Sequence, residues 1–119
     1  MKNKKILVVD ENPSMSELIA EILRCDGFIS IEIALTHSSA ISTLGQRTFD
    51  LVIAGLNRYE TPSGIDVLKT AGTAKKILTS GDPESAENAI LESRTDSFVP
   101  KPFPSNEHFL KVVKATLQD

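Results

Sequence analysis

A single cysteine, Cys25, is all that the chain carries. No internal disulfide can form, and one lone thiol suits a reducing compartment; Cys25 reads as a helix thiol without a chemical role. No apolar run approaches the roughly 20 residues needed to span a bilayer. The start, MKNKK then ILVV then Asp10, has the charge of a signal peptide, but its apolar stretch is too short and no small-residue cleavage site follows. A cytoplasmic protein without membrane contact is expected. Lys and Arg number 13 against 16 Asp and Glu, a formal charge of -3, and they are scattered rather than gathered into a stripe with aromatics between them. Nucleic-acid binding by this chain is therefore disfavoured, and protein partners are expected. A glycine-rich loop after the first apolar run is also missing, which removes the usual means of cradling a nucleotide cofactor there.

The 119 residues, 40% hydrophobic and 24% charged, have the balance of one globular domain. A single unit over residues 1–119 is expected, too short for a receptor joined to an effector. Lys4 to Asp10 is a β-branched apolar run that reads as a strand covered on both faces. Asn12, Pro13 and Ser14 then start a helix with Met15, Leu18, Ile19, Ile22 and Leu23 on one side, stopped by Asp26-Gly27. The unit recurs: strands over Phe28 to Leu35, Asp50 to Ala54, Lys75 to Ser80 and Ser97 to Val99 alternate with four more helices. The second helix turns Ala40, Ile41 and Leu44 inward. The third, from Gly64 to Ala71, is stunted. Asp82 and Pro83 launch the fourth, and Ser105 caps the fifth, whose inward residues are Phe109, Val112, Val113, Thr116 and Leu117.

Strict alternation with apolar strands predicts an α/β fold, a doubly wound parallel sheet with helices on both faces and right-handed crossovers. In such sheets the site lies outside the carboxyl ends of the strands. The residues there are Asp10 and Glu11 after the first strand, Gly55 after the third, Thr79 and Ser80 ending the fourth, and Pro100 and Lys101 after the fifth. Two acids, a hydroxyl and a lysine on one edge suit a divalent cation and a phosphoryl group. Singly each is commonplace: an acidic pair is often a solvated turn, Thr79 a satisfied strand-end hydroxyl, Lys101 a surface lysine. His37 and His108, each near a helix start, read as surface histidines.

Through ILVVDENPSMSELIAEIL, FDLVIAGLN, ILTSGDPESAENAI and FVPKPF, nearly the whole chain resembles the receiver domain of two-component response regulators, a chemotaxis-type, flavodoxin-like phosphoacceptor fold. The resemblance implies the strand order 2-1-3-4-5, Mg²⁺ binding by Asp10 and Glu11, phosphoryl contact by Thr79 and Lys101, an aromatic switch position at Phe98, and a cis peptide between Lys101 and Pro102. It also implies a partner, such as a histidine kinase or a downstream regulator, on the face of the fourth helix, fifth strand and fifth helix, with Ala86, Asn88, Phe98, Glu107 and Lys111 as candidates; a homodimer is compatible with the same face.

The family's phosphoacceptor is an aspartate at the end of the third strand, where this chain has Gly55. No catalytic residue is assigned, and the domain is expected not to be an enzyme. Asp50 is roughly 16 Å away along the strand at about 3.3 Å per residue, and Glu60 is on the following loop. The family's usual Met-Pro is replaced by Arg58 and Tyr59, and the distance from Gly64 to Thr79 is short. Two acids instead of three leave a pocket that Lys101 can partly neutralise by pairing with Asp10 or Glu11. Mg²⁺, if bound, is held weakly, no other cofactor is expected, and Glu11 has the reach to fill part of the vacated space. The expected function is a phosphorylation-independent receiver acting through protein contacts; the alternative is a phosphoaccepting regulator with a non-standard acceptor.

Overall fold

The computed structural model describes residues 2–56 and 62–118. Arg58, Tyr59 and Glu60 lie outside the described residues. Ten elements alternate: β1 (Lys5–Val9), α1 (Pro13–Cys25), β2 (Ser30–Ala34), α2 (His37–Gln46), β3 (Leu51–Gly55), α3 (Gly64–Thr70), β4 (Lys75–Ser80), α4 (Pro83–Ser93), β5 (Ser97–Pro100) and α5 (Asn106–Leu117). The strands form one parallel sheet in the order β2-β1-β3-β4-β5. β3 is apolar and buried at every position, and β1 from Ile6 to Val9, because both faces are covered there. Leu7, Val9, Val52, Ala54 and Leu78 pack with residues of α2, α3 and α4, while Ile6, Val8, Leu51, Ile53, Ile77 and Val99 pack with α1 and α5. Each such Val, Leu or Ile side chain contributes roughly 1.5–3 kcal/mol of burial free energy.

The helices begin where side chains satisfy their first amides. Asn12 accepts from the N–H groups of Ser14 and Met15, Thr36 from Ser39, and Ser105 from His108. The Asp66 carboxylate accepts from the Ser63 N–H at 2.8 Å, which anchors the seven-residue α3. Asp26 ends α1 and gathers Lys2 and Lys114, joining the N-terminal segment to α5. Among the described residues no helix is long and apolar enough to cross a membrane.

Three packing expectations are corrected. Leu18 is 44% exposed; the buried face of α1 is centred on Ser16, Ile19, Ala20 and Leu23, and Leu18 stands about 100° round the helix from Ile19. Ala86 faces the core rather than a partner, being packed in the cluster beneath α4. His37 is the first residue of α2 and is buried, unlike His108, which is exposed. A side chain on the first turn of a helix leans back towards its N-terminus, and here that direction is towards the carboxyl edge of the sheet.

Candidate functional site

The carboxyl ends of β1, β3, β4 and β5 bring the expected residues to one edge. Asp10, directly after β1, is 5% exposed. Its Oδ1 accepts from the Asn12 N–H at 3.0 Å, and its Oδ2 from Lys101 Nζ at 3.1 Å. Lys101 is carried there by the turn after β5, where its own N–H donates to the Ser80 carbonyl at 2.8 Å, and its bond to Pro102 is cis. Gly55 lies between them as the last residue of β3, in register with Thr79 of β4. Thr79 is fully buried and its hydroxyl is directed to the Ala54 carbonyl at 3.5 Å. Phe98, in β5 beside Leu78, is partly buried against the core under α3 and α4, away from the acids.

A Cβ placed on Gly55 would stand 3.0 Å from Asp10 Oδ2 and 3.5 Å from Lys101 Nζ. The atoms nearest the absent side chain are therefore those of the Asp10–Lys101 pair, rather than of Glu11 as its extra methylene suggested. Glu11 is engaged elsewhere: its Oε1 is 3.0 Å from Nδ1 of His37. The other ring nitrogen, Nε2, donates to the Gly55 carbonyl at 2.9 Å. One imidazole, 3% exposed, thus stands at the start of α2, bonded to the end of β3 and close against the turn after β1.

The sequence reading missed His37 because it inspected the chain after the first, third, fourth and fifth strands and passed over the second. The signal was available, since a residue just beyond β2 at a helix start reaches the same sheet edge.

Mg²⁺ requires near-octahedral oxygen ligands at about 2.0–2.1 Å. The arrangement does not fit it. Position 55 has no carboxylate, both oxygens of Asp10 accept protein hydrogen bonds, and Glu11 Oε1 is faced by a ring nitrogen. Among the described residues no group of three or more His, Cys, Asp or Glu is arranged to hold a metal ion.

A model of the response regulator receiver domain matches residues 6–114. The chain is 30% identical over 113 residues to the DNA-binding response regulator MtrA of Mycolicibacterium smegmatis, covering 92% of this chain and 49% of that protein. It is 31% identical over 112 residues to the probable transcriptional regulatory protein TcrX of Mycobacterium tuberculosis, covering 90% and 47%. The chain spans about half the length of these relatives. Its fold is similar to that of a CheY-like receiver domain protein from Methanospirillum hungatei, with a TM-score of 0.85 at 23% identity, covering 97% of this chain and 94% of the other. The element order, the sheet topology and the family match together establish that this chain belongs to the response regulator receiver domain family, the signalling domains of two-component systems.

Proposed function

We propose that this receiver domain works without phosphorylation at the usual position and acts through contact with a protein partner in the cytoplasm. One observation carries the reading: β3 ends in Gly55, and the space its side chain would enter is bordered by an Asp10–Lys101 pair at 3.1 Å. Glycine offers no oxygen to attack a phosphodonor. Lys101 already neutralises one acid, so the pocket's need for Mg²⁺ is weaker than in a site with three carboxylates. With no phosphoryl input, any change between conformations comes from a partner that binds one of them better.

The contact face proposed is that of α4, β5 and α5. Asn88, Glu107 and Lys111 are exposed there, and Leu91 on α4 is 77% exposed. A histidine kinase, a downstream regulator and a second copy of the chain all suit such a face. DNA binding, which the name of MtrA attributes to that longer protein, is not proposed for this domain.

Incubation with a small-molecule phosphodonor and Mg²⁺, followed by intact mass measurement, tests the reading. The expected spectrum is that of the unmodified chain. A stoichiometric adduct, stable in acid and labile in base, would overturn it in favour of a non-standard acceptor.

A further inference from the structure

We infer that His37 closes the acidic pocket against Mg²⁺, so that restoring an aspartate at position 55 does not by itself restore a metal site. The inference rests on the reading of this pocket as the remnant of a metal-dependent phosphoacceptor site, and it adds a second obstacle independent of Gly55.

His37 is almost wholly buried and both its nitrogens face named oxygens: Nε2 the Gly55 carbonyl at 2.9 Å, Nδ1 the Glu11 Oε1 at 3.0 Å. The first is a hydrogen bond with Nε2–H as donor. The second is a close approach without hydrogen-bond alignment, and it places a ring nitrogen 3.0 Å from one oxygen of the Glu11 carboxylate. An ion seated about 2.0–2.1 Å from Oε1 on the side that His37 occupies must either displace that ring or take its nitrogen as a ligand. Imidazole suits zinc, copper or nickel, whereas Mg²⁺ takes oxygen.

Displacement is resisted from three directions. The ring is tied to the end of β3 through Gly55, its backbone is fixed in the first turn of α2 beside the Thr36 cap, and burial leaves it no solvent side to swing into. Adding a carboxylate at position 55 supplies a ligand but leaves the ring on Glu11. Mg²⁺ bound through Glu11 Oε1 and the ring held by the His37–Gly55 hydrogen bond therefore compete for the same space.

The experiment compares Mg²⁺ titrations of wild type, Gly55→Asp, His37→Ala and the double variant, followed by amide chemical shifts and by calorimetry. The double variant is expected to bind Mg²⁺ at least tenfold more tightly than Gly55→Asp alone. A difference below tenfold would overturn the inference. His37→Asn, too short to reach the Gly55 carbonyl, replaces His37→Ala if the alanine variant does not fold.

A readout that leaves His37 in place is the Nε2–H resonance of the Gly55→Asp protein. It should lose its hydrogen-bonded shift as Mg²⁺ saturates the site. Its persistence at saturation would equally overturn the inference. Phosphorylation of the wild-type chain would count against the proposed function alone, so the two failures are distinguishable.

Discussion

Gly64 lies so close to Gly55 that a Cβ on Gly64 would stand 2.4 Å from the Gly55 carbonyl oxygen and 3.0 Å from its carbonyl carbon. The same oxygen accepts from His37 Nε2. The first residue of α3 therefore rests against the end of β3, and the absence of a side chain at position 64 permits that approach. Gly55 itself has no left-handed backbone that would require glycine, in contrast to Gly27 and Gly72.

Gly64→Ala should destabilise the domain by about 1–3 kcal/mol through overpacking. On helix propensity alone, glycine to alanine would stabilise by up to about 1 kcal/mol, so the sign of the change reports the close approach. Urea denaturation of both proteins decides it, and a higher midpoint in the variant would show that α3 can move away freely.

Gly55→Ala and Gly55→Asp should separate space from charge. The Cβ alone presses on Asp10 Oδ2 at 3.0 Å, against a gain of roughly 0.5–1 kcal/mol from replacing glycine inside a strand, so Gly55→Ala should remain within about 1 kcal/mol of wild type. A second carboxylate beside Asp10 must share Lys101, and Gly55→Asp should lose about 1–3 kcal/mol in metal-free buffer. A Gly55→Asp protein more stable than wild type under those conditions would contradict the crowding described at this site.

Lys101→Met retains an apolar stem and removes the cation from Asp10. Losing one partner of a fully buried pair costs about 3–5 kcal/mol. Lys101 is 25% exposed on its side chain, so about 1–3 kcal/mol is expected here after solvent screening. Adding Asp10→Asn should recover part of the loss, because the amide oxygen can still accept from the Asn12 N–H. A double-mutant cycle measures the coupling, and additive losses would mean that the pair is not coupled.

Asp26 gives the stability a dependence on acid. Hydrogen bonds from Lys2 first, and then Lys114, hold its carboxyl pKa below the ordinary 3.8. Between the two values the unfolded chain binds more protons than the folded one, so the contribution of this carboxylate is complete above 3.8 and is lost as pH falls through the lowered folded value. Asp26→Asn should therefore be modestly less stable than wild type at neutral pH, with the two curves converging in acid. A gap of constant size down to strongly acidic pH would show that the aspartate acts through something other than its charge.

The fold was legible because its main signals are local. Apolar runs at Ile6 to Val9 and Leu51 to Ala54 have no polar face to turn outward, which in alternation with helices leaves a parallel sheet covered on both sides. Caps at Asn12 and Ser105 announce helix starts through side chains that compete for the first amides. Leu18 was misplaced because periodicity marks a stripe, but which edge of the stripe is buried depends on what packs against it; Ala86 was misplaced because the resemblance names a helix face without saying which of its residues turn to the core.

Half of the candidate site was equally open to reading, because Asp10, Glu11, Gly55, Thr79 and Lys101 stand directly after or at the ends of strands, and a parallel sheet must bring those ends together. That position 55 lacks a carboxylate, and that Lys101 is the counter-charge, came from the resemblance to the family. The tertiary structure alone decided that Lys101 takes Asp10 rather than Glu11, and that Glu11 faces His37 instead of filling the space beside Gly55. Those outcomes are set by the directions of side chains from three separate segments converging within about 3 Å, the reach of a hydrogen bond, and no spacing along the chain encodes such a meeting.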